Sequence, residues 1–408
     1  MDQSNQPADN RPLFSEQSGP VSRPAAYQLW VIAILLWVVP MLVISVMVFL
    51  HPLSRTVTPL YHEAATNWWA GQPLYQGQSG MNYLPQFSIL FTPFHFIPIP
   101  WSDILWRWFA AALLASGLWR VMRARFGVGW PKWFLWATIL VLPLSLSALR
   151  NGQANALLGG LMLHAVACVA DAQWSRAAAL MVLTVGVKQL GMVLLLLAPV
   201  VYAPLRWRLF FGLVALVVLP FVCARPEYAL AQYQALGKNL EECSTVTQHR
   251  FADLNGILRT FGTELPPQLA TGVRAMAGLG TLALWWLGAR RLTQPLQAMW
   301  LHALATAYLM LFNPMNEANS YVIFAPALAF WATHWLADSA TATWGWWLVG
   351  MTLSMGLLPN LVRPLFGNQF ALIWHPTMVL IFCVLVALRI WRPIDAGTDV
   401  GRPQPLPV

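Results

Sequence analysis

The chain reads as an all-α, polytopic membrane protein, and three observations predict it. Only 10% of its 408 residues are charged and 58% are hydrophobic, against roughly 25% charged in soluble domains. Continuously apolar runs of 17 to 24 residues recur along it, each long enough for a hydrocarbon core about 30 Å thick. Those runs do not alternate polar with apolar residues, which excludes a transmembrane barrel. Twelve spans are predicted, at about 28–50, 102–122, 131–148, 154–171, 175–188, 189–205, 209–224, 270–288, 296–313, 320–336, 343–360 and 370–391.

Residues 1–26 are polar, rich in Pro, Ser and Asn, and lack an apolar core. They predict a disordered cytoplasmic tail rather than a cleaved signal, with the first span as signal anchor. The membrane domain then occupies 27–392, with outer loops at 51–101 and 226–269, and 393–408 form a second cytoplasmic tail.

The segment "LPQFSILFTPFHFIPIP" (84–100) is apolar but short, and Pro93, Pro98 and Pro100 interrupt it. Its topology sets the parity of everything that follows. If it does not cross, Arg120, Arg123, Arg125 and Lys132, then Arg206 and Arg208, then Arg290 and Arg291, then Arg389 and Arg392 all fall on one side. Tight basic clusters beside span ends mark the cytoplasmic side. Residues 84–100 are therefore predicted to be a re-entrant or juxtamembrane helix. The net charge of +9 is spent on these topology signals and forms no nucleic-acid patch. Much of the abundant tryptophan (23 residues) lies at span ends, as an interfacial belt requires.

The same parity gathers the polar interruptions on the outer face. In "YHEAATNWWAGQPLY" the spacing of Leu60, Ala64, Ala65, Trp68 and Trp69 predicts a short helix on the membrane surface, started by Pro59 and stopped at Gly71. Trp68 and Trp69 are expected at the interface. Glu63 and Asn67, four apart, share a face, with Tyr61 and His62 beside them. A solvated face on an interfacial helix is the plainer reading of these residues. "RNGQANALL" sets Arg150, Asn151, Gln153 and Asn155 at the mouth of a span, more polar groups than one N-cap needs. Lys188 in "TVGVKQLGMVL" interrupts a 30-residue apolar stretch. An ionisable group there is a functional candidate, with snorkelling to the interface as the alternative. Arg250 and Arg259 join the cations available to a lipid phosphate, and "NPMNEANSY" surrounds Glu317 with Asn316, Asn319 and Ser320. A carboxylate before a span also serves as a helix cap.

The four cysteines lack metal-ligand spacing. Cys223 and Cys243 both fall on the outer face, where a bridge between them is chemically allowed.

These motifs, in this order over residues 55–330, resemble the GT-C class of membrane glycosyltransferases, and family 87 in particular, whose members are similar to polyprenyl-phosphate-mannose-dependent mannosyltransferases. The resemblance implies a GT-C-like fold and transfer of a hexose, mannose foremost, on the outer face of a bacterial inner membrane. The donor would be a polyprenyl-phosphate sugar and the acceptor a glycan or glycolipid. It implies neither a metal nor a further cofactor. It also implies an acidic general base in the first outer loop. Where the class usually carries an aspartate shortly before the position of Tyr61, this chain reads "RTVTPLY", so Glu63 becomes the expected base and Glu317 the next candidate. A transporter or lipid flippase, or a non-catalytic relative of the transferase fold, are the competing readings.

Overall fold

The structure is a computed structural model, and it describes residues 23–75, 81–244 and 251–391. Among these it contains sixteen α-helices and no strand. Each of the twelve predicted spans coincides with a helix. These are α1 (Arg23–Leu50), α4 (Trp101–Phe126), α5 (Trp130–Asn151), α6 (Asn155–Ala170), α7 (Trp174–Val187), α8 (Met192–Val201), α9 (Leu205–Cys223), α12 (Pro267–Ala289), α13 (Leu296–Phe312), α14 (Ala325–Leu336), α15 (Ala342–Phe366) and α16 (Gln369–Trp391). The remaining four, α2 (Thr58–Ala70), α3 (Pro85–His95), α10 (Pro226–Ser244) and α11 (Leu254–Thr260), belong to the loops.

Among the described residues, five stretches have both the length and the apolarity to cross a membrane alone, and one of them, Trp101–Asn151, holds both α4 and α5. The helices at 155–170, 174–187, 189–201 and 296–312 are shorter. At 1.5 Å per residue, the 14 residues of α7 rise about 21 Å. α7 and α8 fold back on each other, as the predicted break at Lys188 requires. The Trp174 ring at the start of α7 lies 5.7 Å from that of Tyr202, which closes α8, so Lys188 sits at the apex between them. Residues 320–323, predicted to open a span, belong instead to a 3₁₀ turn at Ala318–Ile323.

α1 shows how the bundle meets lipid. Ala33, Trp37, Met41, Ile44 and Val48 are buried, whereas Leu35, Val39, Leu42, Val43 and Val46 are about half exposed. Both faces are apolar, as lipid contact demands.

Contacts between residues distant in sequence sort the helix ends into two faces. On one, Arg120 pairs with Asp171 at 2.6 Å, Arg125 donates to His334 Nδ1 at 3.1 Å, and Arg208 donates to Ser175 at 3.2 Å. Arg291 lies over the Trp391 ring there as well. The basic clusters therefore share an end of the molecule, as the parity argument requires. On the opposite face lie α2, α3, the 150–155 turn, the α7–α8 apex and residues 313–321. α3, only 11 residues long, begins with Phe87 against Tyr61 and ends with His95 5.8 Å from His62. Both of its ends stay beside α2, so it does not cross.

One expectation is corrected here. Trp68 is not interfacial: it is buried with Leu74 and Ala229, its ring 5.3 Å from Tyr228 of α10. Trp69 alone is exposed, and its indole N–H donates to Thr92. The buried stripe of α2 is Thr58, Tyr61, Ala64, Ala65 and Trp68, the i, i+3, i+4, i+7 face of a packed helix. The loop lies against protein on that side rather than against lipid.

Candidate active site

The polar face is organised around the turn that joins α5 to α6. Gly152 closes α5 in the left-handed region at φ +68°, a conformation glycine adopts without penalty. A Cβ at that position would meet Thr58 Cγ2 at 2.8 Å and Arg107 at 2.9 Å. The turn therefore lies tight against α2 and α4, and one hydrogen-bond network extends from each of its sides.

The first network is a clamp. Asp103, in the first turn of α4, is 1% exposed and Arg107 equally so. Asp103 Oδ2 accepts from the Thr58 hydroxyl at 2.7 Å, and its Oδ1 lies 3.2 Å from His62 Nε2. Arg107 NH1 is 4.0 Å from the carboxylate and donates to the Asp103 carbonyl at 2.8 Å. Its NH2 donates to Thr56 at 2.7 Å, and its Nε and NH2 both reach the Arg150 carbonyl. Trp106 adds an indole bond to the Gly152 carbonyl at 2.9 Å. Three side chains on one turn of α4, Asp103, Trp106 and Arg107, thus fix α2 and the residues before it to the 150–155 turn.

The second network unites candidates from three separate segments. Glu317 Oε2 accepts from Gln153 Nε2 at 2.8 Å. Gln153 Oε1 accepts from Asn155 Nδ2 at 2.9 Å, and the same amide reaches Ser320 at 3.3 Å. Asn155 Oδ1 accepts from Lys188 Nζ at 2.8 Å. Lys188 lies 5.4 Å from the centroid of the Tyr83 ring, and the Tyr83 hydroxyl is 3.0 Å from that of Tyr61. The Tyr61 oxygen in turn accepts from Ala154 N. Burial above all, reinforced by Tyr83, holds the Tyr61 phenol well above its ordinary pKa, so it is a neutral hydrogen-bonding group.

Other predicted residues take different places. Glu63 is exposed on α2, two residues and about 200° around the helix from Tyr61, so it does not face inward as expected. Asn67 bonds the Pro73 carbonyl at 3.3 Å and secures the end of α2. Arg150 turns its guanidinium to Met47 of α1, away from Lys188. Asn151 contributes its carbonyl, which accepts from Val57 N at 3.0 Å. Asn316 is fully buried and bonds the Ala252 and Met310 carbonyls, so it ties the second loop down. Asn319 is half-buried. Arg259 pairs with Asp253 and Glu264, both at 3.8 Å, one loop away from Lys188. Arg250 and the Cys243 side chain lie outside the described residues, and so does the proposed bridge to Cys223. No cluster of three or more metal-ligating side chains occurs among the described residues.

None of the sequence motifs includes Asp103 or Arg107. The available signal was an acid and a base four residues apart in the first two turns of an apolar span, where every ionisable group calls for an explanation.

The fold and the site together define an all-α membrane protein that joins a lysine, a carboxylate and several amides on one face. The sequence profile of glycosyltransferase family 87 matches residues 82–314, more than half of the chain, and the protein belongs to that family: it is a membrane glycosyltransferase. The matched segment contains Asp103, Asn155 and Lys188, while α2 and Glu317 lie beyond its ends. A search of curated proteins finds no match.

Proposed function

We propose that this glycosyltransferase moves a hexose, mannose by family resemblance, from a polyprenyl-phosphate donor to a glycan or glycolipid acceptor. The reaction takes place on the face opposite the basic clusters, which is the outer face of the membrane by the positive-inside rule. The observation that carries this reading is the chain Glu317–Gln153–Asn155–Lys188. It sets a carboxylate and an ammonium at two ends of one polar site, where a base and a leaving-group partner are needed.

Lys188 is the phosphate contact. The bond from the anomeric carbon to the phosphate oxygen breaks in the reaction, and negative charge grows on the departing polyprenyl phosphate. An ammonium held in place by Asn155 stabilises that charge in the transition state. Glu317 accepts the proton of the acceptor hydroxyl as that oxygen attacks the anomeric carbon. Attack opposite the phosphate inverts the anomeric configuration. The Gln153 bond occupies one carboxylate oxygen of Glu317 and orients the other. Asp103 is a poorer base, because Thr58 and His62 already engage both of its oxygens and Arg107 stands beside it.

The reading is tested by supplying membranes containing the protein with radiolabelled polyprenyl-phosphate hexoses. Label should appear in a glycan or glycolipid fraction and be lost with Lys188→Met, while Lys188→Arg retains part of the transfer. Parental transfer by Lys188→Met would reduce the lysine to an interfacial anchor.

A further inference from the structure

Beside Lys188 is a seam where the first outer loop meets α10 and the α7–α8 apex, and three amide side chains lie along it. Gln189 Nε2 donates to the Asn82 carbonyl at 2.7 Å. Asn239 Nδ2 donates to Asn82 Oδ1 at 2.7 Å and to the Met81 carbonyl at 3.4 Å. Gln86 Nε2 donates to the Leu216 carbonyl at 2.8 Å and to the Tyr233 hydroxyl. A main-chain carbonyl only accepts, so each contact fixes which end of the amide is nitrogen. The oxygens must therefore point the other way.

All three oxygens, Gln86 Oε1, Gln189 Oε1 and Asn239 Oδ1, are buried without a hydrogen-bond partner. Gln86 and Asn239 are 1% and 3% exposed. An unpaired buried acceptor costs about 1–3 kcal/mol, and three along one seam are costly unless something donates to them. Gln189 follows Lys188 in the chain, and Asn82 precedes Tyr83, over whose ring Lys188 sits. Tyr83 is half-buried and offers an aromatic face beside these acceptors.

We infer that this seam is the subsite for the hydroxyl groups of the donor hexose. Gln189 and Asn239 accept from sugar hydroxyls, Gln86 extends the acceptor row along α3, and Tyr83 lies under the ring. A hexose brings several hydroxyl donors on one rigid ring, which matches a row of fixed acceptors. The inference rests on the reading of Lys188 as the phosphate contact, because the sugar is one bond from that phosphate.

The test measures binding of four lipids to the purified full chain: bare polyprenyl phosphate, and polyprenyl phosphate bearing mannose, glucose or galactose. The parent protein should bind at least one hexosyl lipid more tightly than the bare lipid. Gln189→Met and Asn239→Leu should each weaken that hexosyl lipid by about three- to tenfold while leaving the bare lipid within twofold. The bare lipid serves as the control for a preserved fold. Equal weakening of bare and hexosyl lipids by both variants would show that the amides only hold the loops together and would overturn the inference. So would a parent protein that does not distinguish a sugar-bearing lipid from a bare one. Lys188→Met should weaken bare and hexosyl lipids alike; if it changes neither, the phosphate reading fails, whatever the amide variants show.

Discussion

Arg107 offers the sharpest test of how the loop helix is held. Arg107→Met keeps most of the side-chain volume and removes the guanidinium. The structure assigns that group four hydrogen bonds, to the Asp103 carbonyl, to Thr56 and twice to the Arg150 carbonyl. It also assigns an ion pair to a carboxylate 1% exposed. Removing one member of a buried pair typically costs about 3–5 kcal/mol, because the other charge is left uncompensated. Arg107→Lys should recover only part of this, since an ammonium cannot span three segments as a planar fork does. The double variant Arg107→Met/Asp103→Asn removes the stranded charge, so it should be more stable than Arg107→Met alone. That result is a coupling energy of opposite sign to the single losses. Thermal unfolding of the detergent-solubilised protein supplies the assay, run on all three variants and the parent. An Arg107→Met protein as stable as the parent would refute the clamp, and so would a double variant that simply sums two independent losses.

Other predictions follow from the loops and the topology. Burial raises the Asp253 carboxyl from 3.8 to about 6, against the opposing effects of the Gly256 N–H and Arg259. The folded state then binds the proton more tightly than the unfolded chain, so stability is highest below pH 4 on this group's account. It should fall as pH rises through about 6, by roughly 3 kcal/mol for a two-unit shift; Asp253→Asn, which can still cap α11, should flatten that part of a melting-temperature profile against pH. Trp68→Ala should destabilise by about 3–5 kcal/mol and speed hydrogen exchange in α10, whereas Trp69→Ala should cost about one hydrogen bond, 0.5–1.5 kcal/mol; equal effects would contradict the buried placement of Trp68. Reporter fusions at Gly127 and Arg291 should read cytoplasmic and one at Gly237 the opposite side; a reversed signal at Gly127 alone would break the parity.

The fold was legible because the bilayer writes it into composition. Apolar runs marked the twelve helices, and the basic clusters predicted that the ends of α4, α9, α12 and α16 that carry them would share a face. The Lys188 break was legible for the same reason, since a lysine in an apolar run has to go to a polar place. What the sequence does not show is rotation about a helix axis. On α2 the apolar pattern fitted either lipid or protein as the partner, and the α10 contact with Trp68 decided it. That decision turned Glu63 outward and left Glu317 as the carboxylate in the lysine's network. Asp103 and Arg107 are not legible in the sequence because each is a single charge inside a span otherwise typical of its kind. Their partners, Thr56, Thr58, His62 and Arg150, are more than forty residues away and carry no periodic signal.

The central claim is that Glu317 and Lys188 serve one reaction, and single-turnover transfer by Glu317→Gln tests it most directly. Glutamine keeps the shape and can still bond Gln153 but cannot take a proton, so the rate should fall by about 10²–10⁴-fold with donor binding little changed. Glu63→Gln, exposed on α2, should transfer at the parental rate in the same assay. Parental transfer by Glu317→Gln, or a collapse confined to Glu63→Gln, would contradict the account and return the base to the first loop.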